Sequence, residues 1–290
     1  APPSPEGTYY YPDSNNVITI TANYTLPAVS SFTVKPAQTL QINSSVTFTN
    51  EGTITNSGTI VNNYGTITNN TAITNAGKIL SNIEISGNSP SGGTYYYPDP
   101  SNNVITITAD FTLPTGTSFT INQGQILQFD SGVTFTNAGT ITNDGTIVNT
   151  QTITNGGSID NTNGQILSNS EISPNTPTDG SEGTGTYYYP VDNVIKITAD
   201  FTMPASSIFN ILTWQTLQIN LGKTFTNAGN FYSNGTISID GTLTNSGSIT
   251  NYNNIFLTTS GTLTNTGNIN NKGVITDHGT LTNNGTITNN

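Results

Sequence analysis

The sequence predicts an all-β protein that folds as a parallel β-solenoid, a β-helix with about three sides per coil. Two observations predict this fold class. Apolar residues recur every six or seven residues over long stretches, for example Phe48, Ile54, Ile60, Ile67 and Ile73. The residues between them are mostly Gly, Thr and Asn, which oppose a helix, and the period itself is not that of a helix. Charged residues make up 7% of the chain, whereas an average soluble domain has roughly 25%, and this bias is typical of a repeat protein.

The repeating unit is approximately G-T-I-T-N-x, and it predicts a short Thr-Ile-Thr strand followed by a corner. The central Ile points inward and the two Thr point outward, because strand side chains alternate between faces. Asn and Gly suit the corner because they adopt left-handed backbone conformations most readily. Stacked coils then align the Ile side chains into a continuous core, with a rise of about 4.8 Å per coil. Corner residues Asn50, Asn56, Asn69 and Asn75 are predicted to form amide ladders between coils. Because Thr follows the inward Ile, we predict a right-handed coil.

The chain contains three tandem copies of one module, and each copy begins with the letters GTYYYP. The copies begin at Gly7, Gly93 and Gly185. The predicted organisation is a Pro-rich segment (1–6), solenoid module 1 (7–86), a linker (87–92), module 2 (93–172), a second linker (173–184) and module 3 (185–290). Modules 1 and 2 end with a closing segment, ILSNIEIS (79–86) and ILSNSEIS (166–173), which module 3 lacks. We therefore predict that module 3 is uncapped at its C-terminal end.

The charge balance excludes several classes of partner. The net charge is −11, and five scattered lysines without any arginine do not provide the clustered cations that nucleic acids require. The acidic balance also opposes binding to an anionic membrane surface. No stretch of 18 apolar residues is present, so we predict no membrane insertion. The start Ala-Pro-Pro-Ser-Pro lacks a charged segment, so any signal peptide is expected to have been removed already. The absence of Cys excludes disulfides and thiolate chemistry.

The sequence also predicts that the protein is not an enzyme. Catalytic β-helices need clustered carboxylates, usually with Arg or Lys, to protonate a leaving group and stabilise charge. The only histidine, His278, falls at a corner position of a late hexad. Asp110 and Asp200 occupy equivalent positions in modules 2 and 3, but module 1 has Asn23 there, and a catalytic acid would hardly survive that change.

Three acidic residues follow the YYYP motif and are candidates for a metal site. Asp13, Asp99 and Asp192 lie near Asn residues, and oxygen-rich turns of this kind can hold Ca²⁺. A Pro-Asp turn in which the Asp side chain caps its own backbone is the simpler interpretation. We therefore predict no cofactor, with Ca²⁺ at these residues as the alternative.

The tyrosine triplets are the most specific feature of the modules. In one interpretation their rings cap the open apolar end of the first coil while their hydroxyls reach water. In the other they form an interface with the preceding module or with the next subunit. The predicted interface residues are Tyr9, Tyr10, Tyr11, Tyr95, Tyr96, Tyr97, Tyr187, Tyr188, Tyr189, Leu281 and Ile287.

The hexads carry a resemblance to known proteins. The segments GTITNSGTIVNNYGTITNN (52–70), TFTNAGTITNDGTIVN (134–149) and GTLTNNGTITNN (279–290) resemble the Asn/Thr-rich β-helical repeats of cell surfaces and extracellular fibres in bacteria, archaea and giant viruses. The resemblance implies an extracellular stalk, fibre, sheath or adhesin. It carries no signature residues for an activity.

The leading functional prediction is a structural subunit of an extracellular filament or cell-surface fibre. The protein would be secreted and would assemble with itself, head to tail, because open solenoid ends expose strand edges and a severed core. The alternative is an adhesin or receptor-binding stalk that recognises cell-surface glycans. A third hypothesis is an ice-binding Thr array, which is opposed by the presence of Thr in nearly every hexad, so that no single face stands out.

Overall fold

The three sides of each coil form three stacks of strands, and the coils number about 13. The computed structural model describes residues 10–179 and 185–290, and within these ranges every regular element is a β-strand. Among the described strands all pairs are parallel except one short antiparallel pair, Pro190–Val191 with Val194–Ile197. The predicted all-β parallel β-solenoid with three sides is confirmed.

The strands belong to three successive solenoids, each with sheets A, B and C. In solenoid 1, sheet A contains β1 (Val17–Ile20), β4 (Thr39–Ile42), β7 (Thr59–Asn62), β10 (Lys78–Ser81) and β12 (Thr94–Tyr96). Sheet B contains β2 (Tyr24–Leu26), β5 (Thr47–Asn50), β8 (Thr66–Asn69) and β11 (Ser86–Gly87), and sheet C contains β3 (Ser31–Val34), β6 (Thr53–Asn56) and β9 (Ala72–Asn75).

Solenoid 2 repeats this arrangement. Its sheet A contains β13 (Val104–Ile107), β16 (Ile126–Phe129), β19 (Thr146–Asn149), β22 (Gln165–Ser168) and β25 (Thr186–Tyr188). Sheet B contains β14 (Phe111–Leu113), β17 (Thr134–Asn137), β20 (Thr152–Asn155) and β23 (Ser173–Pro174), and sheet C contains β15 (Ser118–Ile121), β18 (Thr140–Asn143), β21 (Ser158–Asn161) and β24 (Thr178–Asp179).

Solenoid 3 has the most coils. Its sheet A contains β26 (Pro190–Val191), β27 (Val194–Ile197), β30 (Thr216–Ile219), β33 (Thr236–Ile239), β36 (Asn254–Leu257) and β39 (Val274–Asp277). Sheet B contains β28 (Phe201–Met203), β31 (Thr224–Asn227), β34 (Thr242–Asn245), β37 (Thr262–Asn265) and β40 (Thr280–Asn283). Sheet C contains β29 (Ile208–Ile211), β32 (Asn230–Ser233), β35 (Ser248–Asn251), β38 (Asn268–Asn271) and β41 (Thr286–Asn289).

The strand register places like residues above like residues. Ile237 pairs with Ile255, and Ile255 pairs with Ile275 in the next coil. Ile237 and Ile255 are fully buried, whereas the residues on either side of them in the strand, such as Thr236 and Ser238, are partly exposed. The hexad strands therefore each place one large apolar side chain in the core, as predicted, and several strands of sheet A place a second one there, such as Ile239 and Leu257.

The corner asparagines form buried ladders, as predicted. Asn50 Nδ2 donates to Asn69 Oδ1 at 2.7 Å, and Asn56 Nδ2 donates to Asn75 Oδ1 at the same distance. The longest ladder follows sheet B of solenoid 3, with amide-to-amide distances of 2.7 Å throughout; its members are Asn227, Asn245, Asn265 and Asn283. These bonds satisfy polar groups that the corners bury, so the core ends in a paired layer of amides.

The solenoids pack across one another instead of continuing a single stack. Strand β15 of solenoid 2 crosses β4, β7 and β10 of solenoid 1 in turn. Ser118 Oγ accepts hydrogen bonds from Gln41 Nε2 on β4 and from Asn63 Nδ2 just after β7, both at 3.1 Å. The Thr120 carbonyl accepts a bond from Asn82 Nδ2, just after β10, at 3.0 Å. The outer face of sheet A is thus an interface between solenoids.

None of the described residues belongs to a helix with the length and apolar character needed to span a membrane.

Candidate functional site: the tyrosine joints and the last coil

The second and third tyrosine triplets each supply a strand that joins two solenoids. Strand β12 adds one rung to sheet A of solenoid 1, with Tyr95 beside Ile79 and Tyr96 beside Leu80. Neighbouring residues of a strand face opposite sides, so the two rings enter different cores. Tyr95 packs against the core of solenoid 1, and Tyr96 is buried in the core of solenoid 2.

The two rings are fixed by hydrogen bonds as well as by packing. The Tyr95 hydroxyl accepts a bond of 2.6 Å from the Ile85 backbone N–H, and its ring stacks on Tyr97 at a centroid distance of 4.5 Å. The Tyr96 hydroxyl accepts a bond from the Ala109 N–H at 3.1 Å and donates to the Ala109 carbonyl at 3.2 Å. Its ring meets Phe111 edge-on at 5.8 Å. Tyr95 therefore closes the preceding core, and Tyr96 covers the start of the next one.

The second joint repeats the first. Tyr187 Oη accepts a bond from the Ile172 N–H at 2.6 Å, and its ring stacks on Tyr189 at 4.5 Å. Tyr188 meets Phe201 edge-on at 5.6 Å, and its hydroxyl is bonded to the backbone of Ala199. Each of these two strands thus closes one core and covers the start of the next.

The first triplet lies partly outside the described residues. Tyr9 is not among them. Tyr10 is buried and meets Tyr24 edge-on at 5.8 Å, which is the arrangement of Tyr96 and Tyr188. Tyr11 is exposed. Contact of these residues with another subunit stays a prediction.

Alkaline pH is expected to destabilise the first joint. Burial raises the pKa of the Tyr95 phenol far above its ordinary value of 10.0, and the nearby Glu84 carboxylate adds to this, while the hydrogen bond from Ile85 opposes it. A folded-state pKa above the unfolded one means that the stabilisation is complete below about pH 10 and is lost as the pH rises beyond it. The midpoint of urea unfolding, measured between about pH 8 and about pH 11, should therefore fall. In Tyr95→Phe the fall should be smaller, and an equal fall would rule out this cause.

The last coil exposes the end of the core of solenoid 3. Within the described part of the chain, β39, β40 and β41 each have a neighbour on one side only. Leu281 is 36% exposed, and Ile275 and Ile287 are only partly buried against the core. In solenoids 1 and 2 the corresponding edge of sheet A carries a tyrosine strand. The last coil therefore presents an apolar end with unpaired strand edges.

Two of the three acidic residues after YYYP, Asp13 and Asp99, cap turns with their carboxylates. Asp13 Oδ1 accepts bonds from the backbone N–H groups of Asn15 at 2.8 Å and Val17 at 2.9 Å. Asp99 Oδ1 accepts bonds from the Ser101 hydroxyl and N–H, which lower the pKa of Asp99. Asp192 lies in the turn between β26 and β27 with a φ of 50°. No group of three His, Asp or Glu side chains comes together in residues 10–179 and 185–290.

A structural role explains the exchange of Asp for Asn at three equivalent positions. Asp110 Oδ1 and Asp200 Oδ1 each accept a bond of 2.8 Å from the N–H of the first residue of a sheet B strand. Asn23 Oδ1 makes the same bond to Thr47. An amide and a carboxylate oxygen serve equally as acceptors here. His278 is an exposed corner residue whose ring meets Phe256 edge-on at 5.6 Å.

Comparison with known families identifies the coils. The haemagglutinin repeat matches residues 34–83, 101–172 and 210–290, which is well over half of the chain. The chain belongs to the haemagglutinin repeat family. Haemagglutinin repeat proteins are extracellular or cell-surface proteins, and they are typically structural and non-enzymatic. Neither the search of curated proteins nor the search of solved structures gave a match. All three tyrosine triplets lie outside the matched ranges, so the haemagglutinin repeat corresponds to the coils and not to the joints.

Within solenoid 3 the haemagglutinin repeat coils give one face a uniform Thr surface, which the hexad pattern alone did not indicate. In sheet B of solenoid 3 every outward position of the four later strands is Thr, and the register places these residues in two columns: Thr224, Thr242, Thr262 and Thr280, and Thr226, Thr244, Thr264 and Thr282. Sheets A and C of the same solenoid are mixed, with Gln218, Phe256 and Tyr232 at such positions. Hexads on different sides of the coil have similar sequences, so the strand register is needed to tell which hexads lie on the same face.

Asn245, in the middle of the asparagine ladder of sheet B in solenoid 3, is expected to contribute strongly to the free energy of unfolding. Asn245 is fully buried, accepts a bond from Asn227 at 2.7 Å and donates to Asn265 at 2.7 Å and to the Asn268 carbonyl at 3.1 Å. Asn245→Ala leaves these groups unpaired, which should cost about 3 kcal/mol in the free energy of unfolding. Urea denaturation measures this, with Thr244→Ala as the control because its side chain points outward. Equal stability of the two variants would contradict a structural role for the ladder.

Proposed function

We propose that the protein is the structural subunit of an extracellular fibre that assembles head to tail through its solenoid ends. The observation that supports this is the tyrosine strand. Twice within the chain, such a strand is added as a further rung to the end of one solenoid and covers the start of the next. The last coil of solenoid 3 exposes the same edge of sheet A. A strand edge beside an exposed core favours association. Head-to-tail contacts that do not close into a ring give a fibre.

The predicted contact joins opposite ends of two copies. It places the tyrosine-rich start, Gly7–Asp13, of one copy against the last coils, Thr262–Asn290, of another. By the register of the two internal joints, a triplet strand on β39 would place Tyr9 over Ile275, as Tyr95 lies beside Ile79. The ring would then cover an end of the core that is otherwise in contact with water. The gain is the burial of apolar surface, at roughly 25 cal/mol per Å².

Electron microscopy of the purified protein tests this function. We expect fibres whose axial repeat reflects coils spaced by about 4.8 Å. Deleting residues 261–290 should abolish the fibres, because it removes the exposed coils and leaves the earlier coils of solenoid 3 in place. Thr152→Ala, an outward change on sheet B of solenoid 2, serves as the control and should leave the fibres intact. Fibres that persist after the deletion would overturn the docking of solenoid ends.

A second candidate function is adhesion through the side of the solenoid. The Thr columns of sheet B favour it, because they present hydroxyl and methyl groups at regular spacings. A glycan array with monomeric protein tests recognition of cell-surface glycans. Thermal hysteresis tests the third hypothesis, binding to ice. Thr244→Lys places a charged side chain on this face. If the variant binds glycans or ice as strongly as the parent protein does, this face has neither role.

A further inference from the structure

In solenoids 2 and 3, a glutamine just before the sheet A strand of the second coil donates a hydrogen bond to the preceding solenoid. Gln125 precedes β16, and its Nε2 donates to the Asn82 carbonyl of solenoid 1 at 2.8 Å. Gln215 precedes β30, and its Nε2 donates to the Asn169 carbonyl of solenoid 2 at 2.7 Å. Asn82 and Asn169 directly follow β10 and β22, the last long strands of sheet A. The same amide therefore binds the same corner at both joints.

The amide is held in position by a second bond. Gln125 Oε1 accepts a bond from the Asn122 N–H at 3.0 Å, and Gln215 Oε1 accepts one from the Leu212 N–H at 3.1 Å. Because the oxygen is bound locally, the NH₂ group points away from its own solenoid. The side chain is thus prepared to donate to a neighbouring solenoid.

Solenoid 1 has the same glutamine, and no solenoid of the described residues lies against it. Gln38 directly precedes β4, and its Oε1 accepts a bond from the Lys35 N–H at 3.1 Å. Its Nε2 has no hydrogen-bond partner among the residues that the structure describes. Gln38 lines a groove of about 590 Å³ together with Ser31 and Thr33 of β3. These two residues correspond on β15 to Ser118 and Thr120, which contact solenoid 1. The groove therefore lies on the surface that a preceding solenoid covers in the other two cases.

The complementary surface lies on sheet A of solenoid 3. In solenoids 1 and 2 the outward positions of the last strands are apolar and buried by the next solenoid: Val61, Leu80, Val148 and Leu167. The matching positions on β36 and β39 are Phe256 and Thr276, both partly exposed, beside the exposed Val274. His278 directly follows β39, and its N–H bonds to the Leu257 carbonyl, as that of Asn82 bonds to Asn62. The His278 carbonyl thus stands at the corner that Gln125 and Gln215 bind.

We propose that the groove of solenoid 1 receives the last coils of solenoid 3 from a second copy, with Gln38 Nε2 donating to the His278 carbonyl of that copy. This rests on the proposed head-to-tail assembly and specifies its geometry: the contact between chains repeats the angled contact between solenoids. In a straight stack β1 would instead continue sheet A directly above β39, and Thr21 would lie over His278. Thr276 in place of a leucine reduces the apolar area of this contact, so it is weaker than the internal joints.

Cross-linking distinguishes the two geometries, because the chain has no native cysteine. Gln38→Cys and His278→Cys variants are mixed and treated with a short bifunctional thiol reagent. We expect covalent dimers from the mixture and none from either variant alone. A single chain with Gln125→Cys and Asn82→Cys is the internal control and should become cross-linked without forming dimers. A second mixture, Thr21→Cys with His278→Cys, reports the straight stack.

The outcomes separate failure of the geometry from failure of the function. Dimers with Gln38→Cys and none with Thr21→Cys support the angled joint. Dimers only with Thr21→Cys overturn it and preserve head-to-tail assembly. No dimers in either mixture, with only single particles in micrographs, overturn both. Gln38→Glu adds an independent measure, because it keeps the acceptor for Lys35 and removes the donor. It should weaken association by about tenfold in sedimentation while the thermal midpoint of the monomer stays unchanged.

Discussion

Replacing Phe225 with alanine is expected to destabilise solenoid 3 by about 3 to 5 kcal/mol. The Phe225 ring is fully buried, lies 5.6 Å from Phe201 in the coil before it and 5.7 Å from Phe231 on the neighbouring sheet. Its removal leaves a cavity that the surrounding strands cannot close, because their backbones are fixed by hydrogen bonds to both neighbouring coils. The free energy of unfolding from urea titration is the measurement.

Tyr232→Ala is the matched control for this variant. Tyr232 lies beside Phe231 on β32, but its ring points outward and is 37% exposed. Its truncation should cost less than about 1 kcal/mol, as is usual for surface positions. A comparable loss of unfolding free energy in both variants would mean that the stacked rings do not stabilise the core.

The second large effect is expected from a single methyl group at a corner. In Gly157→Ala the new Cβ would lie 2.0 Å from the Gly139 carbonyl oxygen and 2.9 Å from the Ala138 carbonyl carbon of the coil below. These are backbone atoms, so two coils must separate to make room. We expect a loss of about 3 kcal/mol, at the upper end of the range for overpacking. The thermal unfolding midpoint is a sufficient measurement.

The neighbouring glycine provides the control. In Gly156→Ala the nearest atom to the new Cβ is the Asn137 carbonyl oxygen at 3.7 Å, an ordinary contact distance. This variant should therefore be nearly as stable as the parent protein. Similar midpoints for the two alanine variants would show that the coils can move apart more freely than their backbone hydrogen bonds suggest.

Local chemistry explains how much of the fold the sequence predicts. The six-residue period, the inward Ile and the corner Asn act within one or two coils, so the strands and the ladders follow from short segments such as 52–70. The packing of one solenoid across another depends on residues far apart in the chain. A signal for it was present, because Val61 and Leu80 occupy outward positions that elsewhere hold Thr. Side chains of this kind need an apolar partner, which periodicity alone does not identify.

The tyrosine joints were predictable in part. Repetition of the triplet marks a junction, but the sequence does not show that the residues form a strand between two cores, so that one ring faces each core. The bond from Gln125 to Asn82 spans 43 positions and carries no pattern of its own. The sequence shows that Asp110 and Asn23 replace each other but not why, because their shared acceptor role appears only when the partner N–H is known.

The tyrosine strands also bear on how the chain unfolds. In a simple repeat protein each unit interacts with its neighbours only, so an end can fray without affecting distant units. Strand β12, however, is covered on one face by the core of solenoid 1 and on the other by the core of solenoid 2, and β25 stands in the same relation to solenoids 2 and 3. Removing either strand opens two cores at once. Cooperativity thus passes along the chain through two strands of three residues each, and the three solenoids are thermodynamically coupled although their sheets are separate.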